Sequence, residues 1–80
     1  MISILIFEDH KLIRETLTFI LNHDPRFKVI GSCSDSEEVV KMSVEKHPNN
    51  VLMDINLAPF SGIEATRRIR QVSPESRIMG

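Results

Sequence analysis

Three acids stand where acids are unusual. Glu8 and Asp9 directly follow the run Ile2-Ser3-Ile4-Leu5-Ile6-Phe7, and Asp54 directly follows Val51-Leu52-Met53. Short apolar runs bounded by turn residues read as strands buried on both faces of a parallel sheet. The acids then lie at strand carboxyl ends, where open α/β sheets keep their binding sites. Two carboxylates about 4 Å apart repel by roughly 4 kcal/mol at an effective dielectric near 20, against a domain stability on the order of 5–10 kcal/mol. If the two strands are neighbours, a cation fills the pocket, one acid is protonated, or the acids splay into water. Hard, oxygen-only donors suit Mg2+, which keeps several waters and commonly takes a phosphate oxygen. A carboxylate beside such an ion can attack a phosphoryl group and form an acyl phosphate. One acid at a strand end is ordinarily a solvated loop residue. A pair and a third, all ending apolar strands, favour the chemical reading.

The elements that must position these acids follow from periodicity. Ile2 to Phe7 is a β-rich strand. From Lys11 to Asn22, Ile13, Leu17, Ile20 and Leu21 recur on one helical face, predicted to point inward, until Asn22-His23-Asp24-Pro25 stops the helix. Phe27 to Gly31 is a second strand centred on Val29 and Ile30. Ser34 and Glu37 have capping-box spacing, which starts a helix near Ser36; Val40, Val44 and His47 continue it to Pro48. The third strand runs into Asp54, with turn residues at Pro59, Ser61 and Gly62. Ser61 and Glu64 again have capping-box spacing; Ile63, Thr66 and Ile69 face inward, and Arg67, Arg68 and Arg70 suit the helix C-terminal half. Ser73-Pro74-Glu75-Ser76 is a turn, and Arg77-Ile78-Met79 opens a fourth strand. Alternation of this kind predicts an α/β doubly wound parallel sheet with right-handed crossovers.

The bulk properties narrow the setting. Eighty residues allow one small, marginally stable domain. With 41% hydrophobic and 26% charged residues and a net charge of −1, no basic surface for nucleic acid and no disordered tail is expected. Cys33 is the sole cysteine, so neither an intrachain disulfide nor a cysteine-built metal site can form. No segment has the pattern of a signal peptide or the length of a membrane span. The expected setting is soluble, reducing and cytoplasmic, without membrane contact.

Three features together resemble one family: the apolar strand into Glu8-Asp9, the strand Val51-Leu52-Met53 into Asp54, and the loop to Gly62 and its helix. The chain resembles the CheY-like receiver domain of two-component response regulators along its whole length. Ile4-Leu5-Ile6-Phe7-Glu8-Asp9-His10 and Leu52-Met53-Asp54-Ile55-Asn56 look most like LuxR/NarL-type regulators with a helix-turn-helix output. The resemblance implies a flavodoxin-like fold with strand order 2-1-3-4-5, incomplete here, which places strands one and three side by side. It implies that Asp54 is the phosphoacceptor for a sensor histidine kinase. Asp9 would bind Mg2+ directly, Glu8 mainly through water, and Asn56 through its backbone carbonyl. The module would not be an enzyme in the usual sense. Residues 1–80 would be the N-terminal portion of a receiver, ending in strand four, with DNA reached only through an output domain absent here.

Departures from the family pattern are specific. Glu8 replaces the commoner aspartate, and Ala58 stands where proline is usual, with Pro59 one place later. The switch Ser/Thr ending strand four and the lysine ending strand five have no counterpart. An aspartyl-nucleophile phosphohydrolase is the weaker alternative, since the second acid expected two residues after the nucleophile is Asn56, with Ala58 two further on. A truncated receiver acting only as an interaction piece is another, predicting a homo-oligomer or domain-swapped dimer through an exposed sheet edge. Elsewhere His10 is read as the cap of the first helix, His23 and His47 as surface residues at helix ends, and Cys33, Met42 and Met53 as filler. The arginine cluster is read as a solvated face, and Phe60 as packing beneath the loop.

Overall fold

Apolar runs of four to six residues dictate where this chain must be flat. In the structure, a computed structural model that describes residues 1–53, 66–71 and 76–79, those runs form a four-stranded parallel sheet. The strands are β1 (Ile2–Phe7), β2 (Phe27–Cys33), β3 (Asn50–Met53) and β4 (Arg77–Met79), in the order β2-β1-β3-β4. Helices α1 (Lys11–Asn22) and α2 (Ser36–Lys46) connect the first three strands, and residues 66–71 are helical before β4. Among the described residues no helix is long and apolar enough to cross a membrane.

β1 is one of the two interior strands, hydrogen-bonded to β2 on one edge and β3 on the other. Side chains alternate across it. Leu5 and Phe7 join Cys33, Val51 and Met53 in a core closed by Val39 and Val40 of α2 and by Ile69. Ile4 and Ile6 point to the opposite face, where α1 lies, and are buried there. At the amino ends of the strands, the Ser3 amide donates to Asn49 Oδ1 at 2.8 Å and the Arg77 amide donates to the Asn49 carbonyl at 2.8 Å. One asparagine thus ties β1 to the starts of β3 and β4.

β2 runs two residues beyond the expected Gly31, to Cys33, and is kinked by a bulge. Ile4 pairs with Val29 but Leu5 pairs with Gly31, leaving Ile30 as the extra residue. Lys46 Nζ reaches back from the end of α2 to the Ile30 carbonyl at 3.1 Å. Gly31 lies close under two side chains: a Cβ there would lie 2.1 Å from Met42 Cε, the end of a flexible side chain that would have to move, and 3.2 Å from Leu5 Cδ1. Met42 in turn accepts from the Cys33 thiol, Sγ to Sδ 3.2 Å.

Two local expectations are corrected. The α2 cap is Asp35, whose carboxylate accepts from the Glu37 and Glu38 amides at 2.8 and 3.1 Å. A capping box on Ser34 is one residue out of frame, because the acceptor must come from the last extended residue before the helix. The helix closes at Lys46, with His47 in the left-handed region at φ 44° as its C-cap. On α1, Leu17 and Leu21 are half-buried as expected, but Ile13 and Ile20 are 43% and 58% exposed. The arc turned inward carries Arg14, Leu17, Thr18 and Leu21. α1 rests on β1 and β2, and a residue about 100° around the helix lies beyond that support.

Asp35→Ala should destabilise the domain by about 1 kcal/mol, while Asp35→Asn should retain most of that; urea midpoints check this. Burial, then Glu38 and Asp35, push the Cys33 thiol from 9.0 up to about 12. The unfolded thiol ionises first. Stability from this group is therefore complete below pH 9 and lost as pH rises from 9 toward 12. Cys33→Ala should flatten that alkaline limb of the pH–stability curve, and a thiol reagent at neutral pH should label the native protein only as it opens.

Candidate functional site

The carboxyl rim of the sheet is where β1 and β3 let go of their partners. Phe7 pairs with Cys33 on one side and Met53 on the other. Adjacent strands lie about 4.8 Å apart, so the ends of β1 and β3 reach the same rim, as expected for strands one and three. Glu8 is the first residue past β1. Its amide donates to the Cys33 carbonyl at 2.9 Å, extending the β1–β2 ladder by one bond. Its side chain is buried, 2% exposed, whereas Asp9 beside it is exposed. Burying a carboxylate is costly unless it is compensated, so this acid is not a loop residue left in water.

Asp54 and Asn56 lie outside the described residues, as do Ala58, Pro59, Phe60, Ser61, Gly62 and Glu64. What flanks that segment is described. Met53 is buried at the end of β3, and the Thr66 hydroxyl donates to its Sδ at 3.4 Å. Ile69, one turn later, is fully buried, which meets the inward reading of Thr66 and Ile69. Arg67, Arg68 and Arg70 are exposed, as expected. Among the described residues no three His, Cys, Asp or Glu groups meet as a metal cluster.

The turn from β1 into α1 holds a residue the sequence reading passed over. Arg14 Nη1 donates to the Glu8 carbonyl at 2.9 Å, and the Arg14 amide donates to the His10 carbonyl at 2.9 Å. A cation one turn into a helix sits near the positive end of its dipole, where it is disfavoured, and that was the available signal. His10 occupies the α1 N-cap position as expected, but its ring makes no cap hydrogen bond. An imidazole has no short-armed oxygen to offer the orphan amides. His23 caps the other end of α1, with Nδ1 2.8 Å from the Phe19 carbonyl. Cys33 is buried in the core rather than poised for reaction.

Comparison with known proteins is consistent along nearly the whole chain. The family model described as "Response regulator receiver domain" matches residues 4–80. A protein-glutamate methylesterase/protein-glutamine glutaminase of Syntrophus aciditrophicus is 42% identical over 74 residues, covering 92% of this chain and 21% of that protein. The transcriptional regulatory protein DegU of Brevibacillus brevis is 37% identical over 78 residues, covering 98% of this chain and 33% of that protein. The chain therefore spans a fifth to a third of these relatives. A crystal structure of a LuxR-family two-component response regulator from Aurantimonas superposes with a TM-score of 0.84 at 34% identity, covering 95% of this chain and 54% of that one. A family match from residue 4 to residue 80, joined to relatives of this identity, makes the chain a member of the response regulator receiver domain family.

Proposed function

We propose that this chain is the phosphoacceptor module of a two-component phosphorelay, with Asp54 receiving the phosphoryl group. The donor is the phosphohistidine of a sensor histidine kinase, the partner class of response regulator receivers. A carboxylate oxygen of Asp54 attacks phosphorus, the P–N bond to the kinase histidine breaks, and the released imidazole takes up a proton. The observation that carries this reading is the pairing of Phe7 with Met53. It directs the residues after β1, the buried Glu8 and the exposed Asp9, to the rim at which β3 ends.

Mg2+ suits these donors, all of them oxygen: Asp9 and Asp54 directly, Glu8 mainly through water, and the Asn56 backbone carbonyl. Bound there, the ion would offset charge on the carboxylates and the phosphoryl oxygens. Glu8 in place of aspartate lengthens that arm by one methylene, which fits a water-mediated role. The module is proposed to act by changing state rather than by turning over a substrate. Residues 1–80 are read as the N-terminal portion of the receiver. Control of transcription, through a DNA-binding output elsewhere in a longer cytoplasmic protein, is read from DegU and the LuxR-family structure.

A second reading is favoured by exposure. Leu12, Ile13, Phe19 and Ile20 of α1 are 43–66% exposed. We propose that this chain self-associates through this surface. Sedimentation velocity should show mass increasing with concentration, and Leu12→Lys with Phe19→Lys should restore the monomer; a concentration-independent monomer overturns this reading. For the phosphoacceptor, beryllofluoride with Mg2+ should give saturable amide shift changes in the wild type and none in Asp54→Asn. Absence of binding by the wild type, or binding that survives the substitution, overturns the assignment.

A further inference from the structure

The three bonds around the acid pair have an arrangement of their own. Glu8 is held at its amide by the Cys33 carbonyl and at its own carbonyl by the Arg14 guanidinium, each at 2.9 Å. The Arg14 amide binds the His10 carbonyl, also at 2.9 Å. Asp9 is thus bracketed by two carbonyls that accept from the same residue. Arg14 is half-buried, and its guanidinium spans from α1 back to the end of β1. The His10 ring contributes no cap bond, so the side-chain tie on this turn comes from Arg14 rather than from the cap residue.

We propose that Arg14 is the positioning residue of the acid pair, fixing the backbone of residues 8–10 so that Glu8 and Asp9 are presented to Mg2+ in one conformation. This rests on the reading of Glu8 and Asp9 as metal ligands. Two effects of Arg14 oppose each other. Its hydrogen bond preorganises the ligands, while its positive charge repels an incoming dication. The bond goes to a backbone carbonyl that only this conformation presents. A guanidinium charge, by contrast, also relieves repulsion between the acids when no metal is bound. That relief, like the repulsion, disfavours binding, and the proposal is that positioning outweighs both. Partners behind a ligand set typically change metal affinity by about 10–100-fold when removed.

The test uses the 80-residue chain, Mg2+ titrations followed by amide shifts, and the Glu8 carbonyl carbon shift without metal. Arg14→Met keeps the apolar stem and removes every donor. It should weaken Mg2+ binding by about tenfold and move the metal-free Glu8 carbonyl signal. Arg14→Lys, which keeps the charge and one compact donor group, should fall between it and the wild type. Binding by Arg14→Met that equals or exceeds wild type overturns the proposal, since repulsion would then prevail. Should Arg14→Met fail to fold, Arg14→Lys carries the test, and wild-type affinity with an unmoved Glu8 signal overturns it. A wild type that binds no Mg2+ overturns the ligand reading and this one with it, whereas unchanged variants beside a binding wild type overturn only the role of Arg14.

Discussion

A strand that is paired on both edges and covered on both faces can meet solvent only at its ends. β1 is that strand: β2 and β3 take its hydrogen bonds, and Ile4, Leu5, Ile6 and Phe7 are buried. No polar side chain of functional use fits along its length. Charged side chains are displaced to the carboxyl rim, where Glu8 is the first beyond the apolar run. The same constraint acts on β3, whose Val51 and Met53 are buried and whose rim is shared with β1 because the two strands are parallel neighbours.

Keeping that rim in place depends on packing some distance away. The bulge at Ile30 shifts the β2 register so that Cys33 comes opposite Phe7 and its carbonyl meets the Glu8 amide. Gly31 leaves room for Met42, and Met42 meets the Cys33 thiol. α2 is anchored over this cluster by Val39 and Val40, and its last turn returns through Lys46 to the bulge. The buried, apolar environment that holds Cys33 also keeps its thiol protonated at neutral pH, which suits a packing residue.

Membership of the receiver family gives these observations a common purpose. A signalling module has to change its surface when one carboxylate changes charge. A small domain does this best if the charged groups gather at one rim, with short connections from there to its helices. Here α1 begins three residues after Glu8, and a single arginine joins that helix to the strand end. The methylesterase and transcriptional relatives, which carry different names, each match this chain over only a fifth to a third of their own length, as expected for a module separable from its outputs.

Much of this was legible in the residues. Strands β1 and β3, both long helices, and the acids at strand ends follow from local pattern, because burial on two faces demands uninterrupted apolar side chains and a helix repeats every 3.6 residues. Tertiary structure decided the rest. Periodicity puts Ile13 and Ile20 on one stripe of α1, but only the position of β1 and β2 beneath the helix determines how much of that stripe is covered. The Asp35 cap depends on which residue is the last extended one, a backbone property that spacing alone leaves open between neighbours. The register shift at Ile30 and the reach of Arg14 to Glu8 are contacts between elements, and they carry no local signature. The sequence by itself determined which residues could form an acidic rim, since residue type and strand length are local. The fold decided which of those acids is buried, what holds it, and which cation stands behind it, since these are set by neighbours distant in the chain.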